Sequence, residues 1–332
     1  MNRASGALLA VLALAVPAAA DPARPRGGAG AAIPAPIKIG VSERARLSIE
    51  PSGRRAITRL AIENPLGDVK VEGYDGTSIQ IESHKVAPDE DALDRLHISL
   101  VPNPDGTVSI KTTADGGKEV RPVGRAAVRI DLLIRAPRAA HVEAAVTSGT
   151  LEVANMDAGG DLDTGSGPIS VRNVQGEVLT HSISGATRLA QVFGSVDAQT
   201  LSSDVDLDTI GGDRLVASVH HGRIDGRRVR ARDVELTTTE GRILLEAEAA
   251  LRGHLVVSSL KGDVDVQLHR HGAVMVRAQG TKVDLGAPMR AQPNGWVEST
   301  FGQLGRIGTD AALVEIRSPQ GNVRFAIIES RP

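Results

Sequence analysis

The sequence predicts an all-β fold: a single-chain parallel β-solenoid of about ten coils with an antiparallel β cap or insertion. A turn mark returns every 18 or 19 residues between Gly149 and Gly241. Apolar and polar residues alternate on both sides of each mark, which is the period of a β-strand. Aromatic residues make up only 2% of the chain, so aliphatic and small side chains must fill the core. A fixed period with internal alternation is typical of stacked β-coils.

The N-terminus predicts export. Arg3 precedes an apolar run at residues 7–16, and three alanines at 18–20 supply an A-x-A cleavage site, so residues 1–20 are interpreted as a signal peptide. The apolar run is too short to cross a bilayer, which takes about 20 residues. We expect the mature chain in the periplasm, at the cell surface or outside the cell, with no transmembrane segment.

Two further segments precede and interrupt the solenoid domain, which we expect over residues 57–328. Residues 21–56 are rich in Pro, Gly and Ala and predict a flexible leader followed by a first strand near 37–49. Residues 86–136 predict the cap, with a helical turn near 89–95 and a hairpin around the Pro-Asn-Pro-Asp-Gly turn at 102–106. Antiparallel strands here are expected to cover one open end of the stack, because an exposed end invites edge pairing.

The turn glycines are the clearest structural positions of the repeat. A residue with positive φ at a tight corner is expected to be glycine. The predicted marks are Gly67, Gly149, Gly167, Gly185, Gly222, Gly241 and Gly262, with Ser203 in place of one glycine. Gly67 belongs to the same pattern as Gly149, although the two marks are far apart in the chain.

Two columns of side chains are expected beside these marks, since equivalent residues of successive coils stack at about 4.8 Å. The second residue after each mark is mostly aliphatic, and the third residue before it is largely Thr or Ser. Small hydroxyls can hydrogen-bond the backbone of the neighbouring coil. After Gly262 the period loosens through Gly280 and Gly302, and Val323 and Phe325 recover the register beside Gly321.

Two segments resemble a known family. Residues 62–73, IENPLGDVKVEG, resemble the opening motif of the bacterial "putative adhesin" domains of unknown function, and residues 146–153, VTSGTLEV, resemble their repeated coils. The resemblance covers roughly residues 57–328. It implies a β-solenoid on the cell envelope or outside it, often behind a signal peptide, and it supplies no catalytic residues.

Alternating acidic residues are the first candidates for chemistry: Asp161 and Asp163, Asp263 and Asp265, and above all Asp204, Asp206 and Asp208. Each set lies on an outward strand face, where carboxylates can bind Ca²⁺ or act as an acid and base on a polysaccharide. The other interpretation is a solvated outer face, which the mixed residues at equivalent positions of neighbouring coils favour.

Histidines and arginines form the remaining candidates. His220 and His221 are adjacent, and His269 and His271 share a strand face on which a third ligand would complete a metal site. Exposed loop histidines are the alternative. A basic cluster of Arg227, Arg228, Arg230 and Arg232 is either a surface for anionic envelope polymer or a solvated connecting loop.

Several function classes are excluded by composition. The net charge is −2 and there is no Cys, so nucleic-acid binding, disulfides and thiolate metal sites are not expected. No phosphate loop, dinucleotide fingerprint or nucleophile elbow is present, and we expect no catalytic residue and no cofactor. The main hypothesis is a non-enzymatic exported scaffold whose partner is an envelope protein or a surface polymer. The alternatives are a carbohydrate-active β-helix that uses Asp204, Asp206 and Asp208, and an envelope-stress signalling component.

Overall fold

Strands dominate the computed structural model, which describes residues 40–51, 56–114, 128–249, 252–302 and 311–328. The predicted signal peptide and most of the predicted leader lie outside these ranges. In the first part of the chain the strands are β1 Val41–Ile49, β2 Arg59–Asn64, β3 Val69–Tyr74, β4 Ile79–Ala87, β5 Leu96–Pro102, β6 Thr107–Ala114, β7 Arg129–Pro137, β8 His141–Val146, β9 Leu151–Met156, β10 Gly160–Thr164, β11 Ile169–Gln175 and β12 Val178–Ser182.

The second part continues the same pattern. Its strands are β13 Thr187–Phe193, β14 Val196–Thr200, β15 Val205–His221, β16 Ile224–Glu240, β17 Ile243–Ala249, β18 His254–Lys261, β19 Val264–Arg270, β20 Val274–Asp284, β21 Arg290–Ala291, β22 Val297–Phe301 and β23 Ala312–Ile328. Within the described ranges one short α-helix occurs, α1 Glu90–Asp94, and it is capped by Asp89, whose side chain accepts from Ala92 N at 2.8 Å. A 3₁₀ turn spans Pro293–Gly295.

Each coil contributes one strand to each of two parallel stacks. Stack A contains β6, β2, β8, β10, β12, β14, the second half of β15, the second half of β16, β18, the first half of β23 and the first part of β20. Stack B contains β7, β3, β9, β11, β13, the first halves of β15 and β16, β17, β19, the second half of β23 and the end of β20. The inward side chains of both stacks form one aliphatic core, which confirms the predicted all-β solenoid.

The burial pattern confirms the inward positions deduced from the offsets. Around Gly149 the residues Val142, Ala144, Val146, Leu151 and Val153 are all buried. The matching residues around Gly67 are buried as well, namely Leu60, Ile62, Asn64, Val69 and Val71. Two strands that share this pattern stack directly, with Leu60 opposite Val142 and Val69 opposite Leu151. Burial of the alternating residues therefore sets the register between coils that are far apart in the chain.

The turn glycines are required for a different reason from the one expected. Positive φ is found at Gly222 and Gly262, but not at Gly67, Gly149, Gly167, Gly185 or Gly241, so that explanation was wrong for five of the seven. Close backbone approach explains all of them. A Cβ at Gly185 would lie 1.7 Å from the carbonyl oxygen of Gly167, and one at Gly222, Gly241 or Gly262 would meet the carbonyl oxygen of the mark below it in the same way.

The hydroxyl column acts partly as expected. Thr238, Ser259 and Ser318 donate to the carbonyl oxygens of Gly222, Gly241 and Gly262, the glycines of the neighbouring coils, at 3.2, 3.0 and 2.6 Å. Two other members instead bond within their own turn: Thr164 accepts from Gly167 N at 3.1 Å and Ser182 accepts from Gly185 N at 2.8 Å. Thr200, another member, has a buried hydroxyl without a hydrogen-bond partner. The column therefore satisfies part of the buried polar backbone at the glycine edge of the solenoid.

A second corner column lies on the opposite edge, and the sequence interpretation missed it. Six residues after each mark the backbone is left-handed at Asn155, Asn173, Gln191, Thr209 and Arg228. Asn is enriched in this conformation, and Asn173 Nδ2 donates to Asn155 Oδ1 at 2.7 Å. A second ladder of close-packed glycines follows these corners, in which a Cβ at Gly194 would collide with the carbonyl oxygen of Gly176.

The cap is only partly antiparallel. As predicted, β5 and β6 form an antiparallel hairpin, and β4 runs antiparallel to both β1 and β7. However, β6 runs parallel to β2, and β7 runs parallel to β3. The insertion thus adds one more parallel coil below the Gly67 coil before its antiparallel strands close the end. Residues 115–127, part of the predicted insertion, lie outside the described residues.

At the other end the chain order and the spatial order diverge. β23 pairs in parallel with β18 and β19 on one side and with β20 on the other. A Cβ at Gly321 would meet the carbonyl oxygen of Gly262, so the coil of Gly321 stacks directly on that of Gly262 and the coil of Gly280 lies beyond it. Gly302 marks no coil, since β22 is antiparallel to β20.

We predict that Gly185→Ala destabilises the protein by about 3 kcal/mol or more, because the added methyl group would overlap backbone that has no room to move. The measurement is urea unfolding followed by far-UV circular dichroism.

Ser203→Ala is the matched control, since this turn already carries a Cβ, and it should unfold close to the parent. An equal midpoint for Gly185→Ala and the parent would show that the glycine ladder is not a packing constraint.

Candidate functional site

The first aspartate after a turn caps the backbone of the next coil. Asp204 Oδ1 accepts from Arg223 N at 2.9 Å, and Asp263 Oδ1 accepts from Asn322 N at 2.8 Å. Asp68 Oδ1 accepts from Thr150 N at 2.8 Å in the same way. Asp204 and Asp263, which belong to two of the acidic sets singled out in the sequence, therefore act as structural acceptors between coils.

The remaining members of the densest acidic set are engaged by arginines. Asp206 on β15 lies 3.1 Å from Arg188 Nη2 and 3.6 Å from Arg223 Nη2. Asp208 is paired with Arg228. Both carboxylates therefore have guanidinium partners from neighbouring coils.

The predicted basic cluster is divided among three carboxylates. Arg227 Nη2 lies 2.8 Å from Asp225 Oδ2, Arg228 pairs with Asp208, and Arg230 pairs with Glu248. The hydrogen bond from Arg227 to Asp225 holds the pKa of the guanidinium above its usual value. Arg232 is exposed. The cluster is therefore close to neutral as a surface, which weakens its interpretation as a site for anionic polymer.

The two histidine pairs of the sequence differ in arrangement: the rings of His220 and His221 contact each other edge to face with centroids 4.2 Å apart, whereas His269 and His271 contact different glutamates. His269 Nε2 lies 3.5 Å from Glu246 Oε1, and His271 Nε2 lies 3.0 Å from Glu248 Oε1. His220 Nδ1 contacts Thr239 Oγ1 at 3.0 Å, and His221 Nε2 lies 3.4 Å from Glu240. Each ring faces its own partner on an adjacent strand, so neither predicted histidine pair is assembled as a metal site.

Glu248 is the carboxylate on which two of these candidates meet. Its pKa lies below the usual value, first because of the hydrogen bond with His271 and further because of the nearby charge of Arg230. Partial burial acts in the opposite direction by penalising the ionised form. His271 and Arg230 thus serve to hold one glutamate ionised between neighbouring coils.

The two outer faces differ in charge. Ion pairs between coils cross the outer face of stack B, among them Lys70–Glu152, Arg188–Asp206 and Arg242–Asp265. The middle of the outer face of stack A combines uncharged side chains with two acidic ones. Asp197 lies between Leu179 and Val216, and Glu235 lies between Val216 and Val256, 4.0 Å from Arg214. We call the uncharged residues the central strip: Leu179, Gln199, Val216, Ser218, Thr237, Val256 and Ser258.

Grooves lie at the cap end of both faces. A groove of about 740 Å³ on stack B is lined by charged residues of β1, β3, β4, β7 and β9, including Arg44, Arg46, Lys70 and Glu152. A second groove of about 590 Å³ on stack A contains Glu143, Asp161, Asp163, His181 and Asp197. The sequence patterns did not point to this acidic groove, because its members come from four strands.

One mixed cluster stands beside this second groove. His141, Glu143 and Asp161 each offer a ligand atom within 4.8 Å of the others, and they are the one such group among the described residues. The sequence had paired Asp161 only with Asp163. His141 is 20 positions away in the chain, and only the parallel pairing of β8 with β10 brings the two together.

The fold and the paired surfaces define an all-β, solenoid-like scaffold. The chain belongs to the Toastrack DUF4097 family, whose model matches residues 57–325. No curated protein matches the sequence.

The chain is similar to several solved structures at low sequence identity. A "putative cell adhesion protein" from Clostridium sporogenes is 12% identical with a TM-score of 0.27, and the alignment covers 87% of this chain and 100% of that one. A "putative lipid binding protein" from Parabacteroides distasonis is 14% identical with a TM-score of 0.43, over 87% and 97% of the two chains. A "putative adhesin" from Bacteroides fragilis is 11% identical with a TM-score of 0.39, over 86% and 97%.

Among the residues that the structure describes, no helix has the length and apolar character needed to span a membrane.

We predict that Asp204→Ala costs about 1 kcal/mol of stability, because it removes a charged acceptor from a backbone N–H. Asp208→Ala, which removes an exposed ion pair, should cost less than about 0.5 kcal/mol. Chemical unfolding of both variants measures the difference, and an equal cost would contradict the capping role of Asp204.

We also predict that His271→Gln and Arg230→Gln each raise the pKa of Glu248, with the larger change in His271→Gln. A carboxyl group with a depressed pKa stabilises the fold above its unfolded pKa, and this contribution disappears as the pH falls through the folded pKa. Both variants should therefore lose less stability on acidification than the parent.

The measurement is a ¹³C NMR titration of the Glu248 carboxyl group. His220→Gln is the control, since the partner of His220 is Thr239. An unchanged Glu248 titration in both test variants would refute the assignment.

Proposed function

We propose that this protein is a non-enzymatic, exported scaffold of the cell envelope or the extracellular space, and that it binds an envelope protein or a surface polymer. The observation that carries the proposal is the engagement of the candidate catalytic carboxylates. Asp204 caps backbone, while Asp206 and Asp208 are paired with arginines. The predicted signal peptide supports export, and the names of the structural neighbours agree with a binding role.

The central strip of stack A is the surface that we assign to binding. Its parallel strands hold the side chains in fixed rows, in which Asp197 and Glu235 alternate with Leu179, Val216 and Val256. Half-buried Val216 and Val256 combine with exposed Gln199 and Ser218 there. Protein interfaces use the same mixture, an apolar centre with few charges and uncharged polar groups around it.

The flat form of the strip limits the kinds of ligand that it suits. A flat β face suits an extended polymer or another protein surface better than a small molecule, which favours a concave apolar pocket. The carbohydrate-active alternative requires two carboxylates spaced across a sugar bond. Arginine pairing at Asp206 and Asp208 gives that alternative no support.

The experiment measures adsorption of the mature protein to envelope fractions of the host cells by sedimentation. The double variant Val216→Lys/Val256→Lys introduces two charges into the strip and should weaken adsorption at least about tenfold, equivalent to about 1.4 kcal/mol.

Leu244→Lys is the matched control, since Leu244 is a half-buried outward residue on stack B, and it should adsorb like the parent. If the double variant adsorbed as well as the parent, the central strip would not be the binding surface. Turnover of an acidic polysaccharide that is lost in Asp206→Ala would overturn the non-enzymatic proposal.

A further inference from the structure

We propose that His141, Glu143 and Asp161 form a binding site for a first-row divalent metal ion, with Zn²⁺ as the preferred ion. The three donors come from the adjacent parallel strands β8 and β10, where Glu143 lies directly opposite Asp161. His141 precedes Glu143 by two residues, so it projects from the same strand face. Their ligand atoms lie within 4.8 Å of one another.

The orientation of His141 suits a metal ligand. Its Nδ1 lies 2.9 Å from the carbonyl oxygen of Ala158. A carbonyl oxygen can only accept, so Nδ1 carries the proton and donates. This leaves Nε2 directed at Asp161, 3.5 Å from Oδ2. A metal-bound histidine typically donates its other ring N–H to a carbonyl or carboxylate, which fixes the ring and its tautomer.

Glu143 is also held from outside the cluster. Arg59 on β2 contacts its Oε1 through Nη1. A ligating carboxylate is commonly held by a hydrogen bond of this kind, and Arg59 leaves the second oxygen of Glu143 for an ion. Asp161 is the most exposed of the three ligands. The site is therefore supported on the cap side and open toward the groove of stack A.

The donor set distinguishes between metal ions. Ca²⁺ and Mg²⁺ prefer oxygen ligands alone, whereas an imidazole nitrogen favours Zn²⁺ and its neighbours. Zn²⁺ holds nitrogen and carboxylate ligands at about 2.1 Å in a tetrahedron, which places the donors about 3.4 Å apart. Small rotations of the two carboxylates would bring the ligand atoms from their present separations to this spacing. Two carboxylates and one neutral imidazole balance the double charge of the ion.

Three protein ligands leave a coordination position free, as in zinc sites that bind water or a ligand. That position faces the groove that contains Asp163 and His181. His181 Nδ1 lies 3.5 Å from Asp163 Oδ1. Because the group of three ligands found among the described residues does not include this pair, His181 provides a matched internal comparison.

The test is isothermal titration of the metal-free full chain with ZnCl₂. We expect one ion per chain. His141→Ala and Asp161→Asn should each weaken binding at least about tenfold, the smallest loss typical even of an outer-shell substitution, whereas His181→Ala should bind like the parent. Glu143→Gln retains the shape of its side chain and tests the third ligand without a packing change.

A spectroscopic readout separates ligation from a change in folding. Co²⁺ added in place of Zn²⁺ should give the visible absorption of a low-coordinate site in the parent and in His181→Ala, but not in His141→Ala. Far-UV circular dichroism checks that each variant is folded. The proposal is overturned if the parent takes up no Zn²⁺, if His141→Ala binds as well as the parent, or if His181→Ala loses as much affinity as His141→Ala.

Discussion

The close stacking of the turn backbone is the constraint on which the rest of the solenoid depends. At each glycine mark the carbonyl oxygen of one coil occupies the space that a Cβ of the next coil would need. Coils can then approach to the strand spacing of about 4.8 Å at their corners as well as along their strands. Hydroxyl groups beside the marks satisfy part of the backbone that this contact buries. The opposite corner repeats the solution with left-handed residues and a second glycine ladder.

Both ends of the stack are completed by strands taken out of chain order. At the cap end, β6 and β7 form a coil on the far side of β2 and β3, and the chain then returns to the near side with β8. At the C-terminal end, β23 fills the position between β19 and β20. A strand edge left open exposes unpaired N–H and C=O groups. Each return strand covers such an edge and ties the last coil to the body of the stack.

The distribution of charge gives the two faces different properties. Stack B carries cross-coil ion pairs and aspartate caps that hold neighbouring coils in register. Exposed ion pairs contribute little each, but their regular placement leaves few unpaired charges to recruit a ligand. Stack A carries uncharged side chains around Asp197 and Glu235 in its middle, with the His141 cluster near the cap. A proposed binding surface and a proposed metal site therefore lie on the same face. By contrast, Asp204, Asp206 and Asp208 on stack B have structural partners.

The sequence by itself determined the repeat, the inward columns and the membership of Gly67 in the same repeat, because alternation and period are local properties of a chain. Only the tertiary structure showed that the turn glycines are needed because the backbone of the neighbouring coil lies too close for a Cβ. It also showed that the coil of Gly321 stacks on that of Gly262 and that Asp263 accepts a hydrogen bond from Asn322. It alone brought His141 to Asp161. These contacts depend on which strand pairs with each exposed strand edge. That pairing joins segments that are distant in the chain, so a local sequence pattern does not predict it.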